Sequence, residues 1–117
     1  MATPEGKVKA RIDKLLSLYK SYLWFFSPQS GIYGNSGIPD RIACVCGHMI
    51  GIEAKADSTK KPTPLQKKCM DKIELAGGKC FVVYDDTTLL ELRKYIDNVI
   101  RGYHASHSTS KDTSTKT

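Results

Sequence analysis

GIPDRIACVCGHMIGIEAK, residues 37–55, carries a Pro-Asp step, two short apolar runs on either side of a Gly-His pair, and Glu-Ala-Lys at its far end. RIACV and MIGIEAK read as strands, and a two-residue turn at Gly47-His48 makes them an antiparallel hairpin. That turn sets Cys46 opposite Met49, Cys44 opposite Gly51, Ile42 opposite Glu53 and Asp40 opposite Lys55. Side chains two apart on a strand share a face, so Asp40, Glu53 and Lys55 are expected to converge on one patch. Taken singly, Asp40 is an ordinary turn aspartate after proline, and Glu53 with Lys55 is an exposed pair closing an apolar run. Their shared register argues for the patch.

Upstream, Thr3-Pro4-Glu5 is a helix start: Thr as N-cap, Pro where its missing N–H costs nothing, and an acid at the positive end of the dipole. Val8, Ile12, Leu15, Leu16, Tyr19 and Leu23 extend one apolar stripe to about SYLWFF, which breaks at Ser27-Pro28. The same spacing puts Glu5 on the inward face, where it is either a metal-facing acid or a first-turn acid serving the dipole. Residues 27–37 are rich in Ser, Gly, Asn and Pro and read as a loop long enough to serve a function, and nothing in the sequence assigns Tyr33 within it a role. Trp24, Phe25 and Phe26 are expected in the core or at a contact between copies of the chain.

Downstream, a polar loop with Lys60 and Lys61 leads to Thr63-Pro64-Leu65-Gln66, a second helix start. Gln66 either closes a capping box on Thr63 or serves the site. Leu65, Cys69, Met70, Ile73 and Ala76 form the apolar stripe of this helix, and Gly77-Gly78 ends it. KCFVVYDD is a strand, reached by a crossover long enough for a parallel βαβ unit. Asp85-Asp86-Thr87 caps a last helix with Leu89, Leu90, Leu92, Tyr95, Ile96, Val99 and Ile100 inside. The expected class is α/β, a small mixed sheet flanked by helices in the order α-β-β-α-β-α, in a single domain over 1–103. The Ser/Thr-rich stretch 104–117 is expected to be a disordered tail.

A chain of 117 residues suffices for one core. No apolar run approaches the ~20 residues of a membrane span, and the charged N-terminus lacks the apolar stretch of a signal peptide, so an intracellular, cytoplasmic protein is expected. The net charge is +6, with a sequence pI of about 9.2, and residues 104–117 supply only +1 of it. The remaining excess favours a polyanionic partner, and Lys60, Lys61, Lys67 and Lys68, with Lys72, form a run suited to tracking phosphates, although a solvated helix face also explains them. The four cysteines read as reduced. The spacing of Cys44, Cys46 and His48 makes a structural zinc site the only other metal reading, with a fourth ligand required from Cys69 or Cys80.

Three carboxylates beside a lysine form, in outline, a site for phosphodiester hydrolysis by a hard divalent cation. Asp40 after Gly37-Ile38-Pro39, then Glu53-Ala54-Lys55, then Gln66 resembles the PD-(D/E)XK nuclease superfamily, with its restriction-endonuclease-like core. Within it the pattern is closest to the virus-type replication-repair nuclease branch, VRR-NUC, and IELAGGKCFVVYDD fits that branch's strand after an Ala-Gly turn. The resemblance covers about residues 3–85. It implies Glu5, Asp40 and Glu53 as metal-facing acids, the Ala54 carbonyl as a further ligand, Lys55 as the water-positioning or charge-stabilising base, and Gln66 as an orienting group. It further implies Mg2+ or Mn2+ as cofactor, a homodimer, and DNA as substrate, in particular branched DNA similar to a Holliday junction, in a phage or mobile-element setting. The rival expectation is a non-catalytic nucleic-acid-binding module on the same fold.

Overall fold

The structure, a computed structural model, describes residues 2–29 and 37–107. The reading of Tyr33 and most of the 27–37 loop falls outside those residues, as does the end of the tail beyond 107. The elements are α1 (Pro4–Ser17), β1 (Leu23–Phe26), β2 (Arg41–Val45), β3 (His48–Ala54), α2 (Pro64–Leu75), β4 (Lys79–Val83) and α3 (Asp86–His107). Four strands form one sheet in the order β1-β2-β3-β4, antiparallel except for the parallel β3–β4 pair across α2. The α/β class and the flanking helices follow the sequence reading, with one more strand than expected.

That strand is LWFF. The helical stripe stops at Ser17, the chain turns over residues 18–22, and Leu23–Phe26 pairs with β2. Period-two alternation replaces the helical one: Leu23 is buried and Phe25 packs on the core, whereas Trp24 is 66% and Phe26 43% exposed. Neither Trp24 nor Phe26 is a core residue, because both project to the opposite face of the pleat.

The hairpin turn also differs from expectation. Cys46 and Gly47 are its central residues, with φ of 47° and 86°, and Val45 stands opposite His48. Positive φ at both central positions is the requirement of the tight hairpin turn that matches strand twist, and glycine meets it at the second at no steric cost. The pairing therefore slides by two: Cys44 faces Met49, Ile42 faces Gly51, and Arg41 faces Ile52. A slide of two leaves every side chain on its own face, so the cofacial reading survives. One step beyond the ladder, Asp40 lies opposite Glu53 instead of Lys55.

Ile12, Leu16, Ile50, Ile52, Leu92 and Ile96 are fully buried, each contributing about 1.5–3 kcal/mol by leaving water. They join α1 and α3 to the sheet face that carries Leu23, Ala43 and Val45. The other face meets α2, where a methyl group on Gly51 would lie 3.1 Å from Cys80 Sγ and 3.4 Å from Ile73 Cδ1. Leu65, 59% exposed, and Leu90, 47% exposed, lie outside the core expected for them, on the solvent sides of α2 and α3. The caps are as read. Thr3 Oγ1 accepts from Gly6 N–H at 3.0 Å, Thr63 and Gln66 form a reciprocal box, and Asp85 Oδ1 accepts from Thr88 N–H at 2.8 Å. Gly77, with φ of 104°, ends α2: Gly78 N–H donates to Ile73 O and Gly77 N–H to Glu74 O. The helix α3 runs to His107, into the stretch read as tail, with residues 101–107 exposed and the His104 ring edge-on to Tyr22 at 5.1 Å. No helix of the described residues is long and apolar enough to cross a membrane.

Candidate active site

The site lies at the open end of the β2–β3 hairpin, between the N-termini of α1 and α2. The short stretch ahead of β2 is placed by close approach. A methyl group on Gly37 would lie 2.6 Å from the Leu65 carbonyl oxygen, so only glycine lets this stretch rest on the first turn of α2. Pro39 is fully buried, and its Cγ lies 3.1 Å from where a Gly51 methyl would stand. Glycine at 37, proline at 39 and glycine at 51 together deliver Asp40 to the sheet edge. There Asp40 Oδ2 accepts the Ala54 N–H at 2.8 Å, a charge-assisted bond that ties the aspartate to the Glu53-Ala54-Lys55 backbone.

Arg41 braces the same corner from the core face. Its Nε and NH2 donate to the two Asp13 carboxylate oxygens at 2.5 and 2.9 Å, and its NH1 donates to the Asp40 carbonyl at 2.8 Å. This fork clamps α1 to the strand entry. Asp13 does not stand out in the sequence as a support of the site, because it acts through Arg41, 28 residues further along the chain. Gly37 and Pro39 belong to the Gly-x-Pro-Asp step, and their contacts with Leu65 and Gly51 give that step its physical reason.

Glu53 and Lys55 are buried, a rare placement for charged side chains. Lys55 Nζ lies 3.4 Å from Glu53 Oε2 and donates to Gln66 Oε1 at 2.9 Å. Gln66 Oε1 also accepts the Thr63 N–H at 2.9 Å. Its two sequence readings are thus compatible: the amide oxygen that closes the capping box also holds the lysine. The second Glu53 oxygen, Oε1, is buried with no hydrogen-bond partner. Burial first, and the Asp40 charge second, push the Glu53 carboxyl up to about 7, against the opposing pull of Lys55.

Glu5 is half-exposed on the first turn of α1, and it reaches the site through Lys9: Lys9 Nζ is 3.5 Å from Glu5 Oε2 and 3.5 Å from Asp40 Oδ1. As the side chains stand, no three acid, imidazole or thiol groups of the described residues converge in a way that would hold a metal ion. Asp40, Glu53, Lys55 and Gln66 are brought together, Glu5 is adjacent through a lysine, and the Ala54 carbonyl follows the strand between them. Lys60, Lys61, Lys67 and Lys68 are all exposed. Since Gln66 binds Lys55, the first turn of α2 abuts the site and carries Lys67 and Lys68 with it. Cys44 is exposed on the outer sheet face and Cys46 half-buried in the turn.

Two acids and a lysine thus stand at the end of a hairpin, flanked by a helix that carries Lys67, Lys68 and Lys72. No protein-family model and no curated protein matches the chain. A solved VRR_NUC domain does, with a TM-score of 0.62 and 25% identity, over 87% of this chain and 99% of that one. The fold together with this likeness supports a VRR-NUC domain, and with it a nuclease-type domain family.

Proposed function

We propose that the chain is a metal-dependent endonuclease that hydrolyses phosphodiester bonds in DNA, with branched DNA as its preferred substrate. The observation that carries the reading is Glu53: a buried carboxylate with one oxygen unpartnered, facing Asp40 and beside a buried lysine. Buried polar atoms are ordinarily satisfied, so an open carboxylate oxygen beside a second acid supports a site that takes a cation. The donors are all hard oxygens, Asp40, Glu53, the Ala54 carbonyl and, one side-chain movement away, Glu5; that set fits Mg2+ or Mn2+. Such a cation, when bound, lowers the pKa of a water and neutralises phosphate charge.

The chain's own residues supply the rest. Lys55, fixed by Gln66 and Glu53, presents an ammonium to the attacking water or to a phosphate oxygen. Gln66 keeps that ammonium aimed by sharing one oxygen between it and the α2 cap. Lys60, Lys61, Lys67 and Lys68 hold the DNA backbone beside the cut without reading bases. A homodimer suits a two-armed substrate. The surface that favours it is the outer sheet face, where the Trp24 and Phe26 rings lie 5.4 Å apart at a 35° tilt and Met49 is 42% exposed. The setting is cytoplasmic, in a cell or in the host of a phage.

Cleavage of a labelled four-way junction and its matched linear duplex, in Mg2+, Mn2+ and EDTA, tests this. Metal-dependent cutting is expected, faster on the junction, and Lys55→Ala is expected to lower it about 100-fold or more while DNA binding persists. Salt-sensitive binding with no cutting in either metal replaces the reading with a non-catalytic nucleic-acid-binding module.

A further inference from the structure

Lys9 has no place in the mechanism above, yet among the described residues its ammonium is the only group that joins two of the site's acids from different elements. Its Nζ stands 3.5 Å from Glu5 Oε2 on α1 and 3.5 Å from Asp40 Oδ1 ahead of β2. The two Asp40 oxygens are thereby divided: Oδ2 is committed to the Ala54 N–H at 2.8 Å, and Oδ1, the one left for a ligand, faces Lys9. We infer that Lys9 is a positioning residue that stands in for the divalent cation, neutralising Glu5 and Asp40 in the metal-free chain and leaving when the metal arrives. This rests on the metal-dependent reading of the same site.

Geometry supports a stand-in that is held loosely. Strong ammonium–carboxylate hydrogen bonds run about 2.7–2.9 Å, so two contacts at 3.5 Å are held by charge more than by hydrogen bonding. The Lys9 side chain is 35% exposed, against 11% for Lys55. Lys9 thus has an open way out to solvent, whereas Lys55 is locked. A lysine is suited to this because its single charge sits on a flexible four-carbon stem with no fixed fork to break.

Two consequences follow. Without metal, Lys9 keeps the acids of α1 and the hairpin from repelling each other, so the α1 N-terminus stays docked. With metal, the cation must displace one positive charge before it gains Glu5 and the free Asp40 oxygen, so Lys9 raises the metal concentration at which the site fills. Glu5, paired with Lys9 in the present conformation, would be free to serve the cation once Lys9 leaves.

Calorimetric titration of the full, metal-free chain with MnCl2 tests this, comparing wild type, Lys9→Met, Lys9→Arg and Glu53→Gln, with thermal unfolding in EDTA alongside. Lys9→Met keeps the length of the stem without the charge. It is expected to bind Mn2+ about three- to tenfold more tightly, the range that loss of two weak ion pairs allows, and to unfold at a lower temperature than wild type in EDTA. Lys9→Arg, which retains the charge, is expected to restore both properties toward wild type. Equal or weaker Mn2+ binding by Lys9→Met, with wild-type binding intact and abolished by Glu53→Gln, overturns the role of Lys9 and leaves the metal site standing. Absence of any Mn2+ binding that Glu53→Gln removes, in wild type and Lys9→Met alike, overturns the metal-dependent reading and this inference with it.

Discussion

Replacing Glu53 with glutamine is expected to make the metal-free protein more stable above neutral pH, and to abolish most of the pH dependence of its stability between about pH 4.5 and 7. In the unfolded chain the Glu53 carboxyl titrates near its ordinary value of 4.5, and in the folded chain it titrates at about 7. Between those values the folded state holds a proton that the unfolded state has lost. Stability from this group is therefore complete below pH 4.5 and is lost as pH rises through 7. At about 1.4 kcal/mol per pH unit across that window, the loss comes to about 3 kcal/mol, a large fraction of the 5–15 kcal/mol by which small domains are stable. The Asp40 charge is the second cause of the raised Glu53 carboxyl, and glutamine at 53 removes the titrating group while Asp40 retains the Ala54 N–H and Lys9. Urea unfolding in EDTA at pH 4.5, 5.5, 6.5 and 7.5, on wild type and Glu53→Gln, measures the difference free of other titrating groups. Curves that run parallel across the four pH values refute the argument, since Glu53 would then be ionised throughout and its burial adequately compensated.

Four further perturbations probe the scaffold and the surface. Gly37→Ala sets a methyl against the Leu65 carbonyl, which would stand 2.6 Å away; the shift this forces at the start of α2 is expected to cost about 1–3 kcal/mol, read by thermal unfolding, and to lower cleavage by moving Gln66 off Lys55. Thr63→Ala removes the cap that accepts the Gln66 N–H at 3.2 Å and should cost about 1 kcal/mol in urea unfolding. Exchanging Lys60, Lys61, Lys67 and Lys68 for glutamine is expected to flatten the slope of log binding constant against log salt by about 3 to 4 on duplex DNA; an unchanged slope assigns the lysines to solvent. Sedimentation of the wild type at micromolar concentration should show twice the 13.0 kDa chain, and Trp24→Ser with Phe26→Ser should return it to one.

Much of this was open to reading from the chain alone. Helix starts at Thr3-Pro4, Thr63-Pro64 and Asp85 are local chemistry, each a side chain bonding the backbone amide three residues on, and each was found where sequence placed it. The cofacial set of Asp40, Glu53 and Lys55 was also legible, because the two-residue period of a strand survives an error in the turn. The turn itself was misplaced by one residue: Gly-His was read as its centre, whereas Cys46 takes positive φ beside Gly47. The core does not decide between the two, because a slide of two keeps Val45, Ile50 and Ile52 on the same face; the positive φ at Cys46 marks the turn. YLWFF was read as the end of a helix because an apolar run of four or five residues satisfies both periods; pairing with β2 decides it.

The sequence by itself determined the class of fold, the order of most elements and the residue types that meet at the hairpin's open end, because helix caps, period and side-chain chemistry act within a few residues of one another. Only the tertiary structure decided that Lys55 is locked on Gln66, that one Glu53 oxygen is buried without a partner, and that Lys9 stands between Glu5 and Asp40. Those are statements about desolvation and about distances between elements far apart in the chain, and both exist only once α1, α2 and the sheet have closed around the same point.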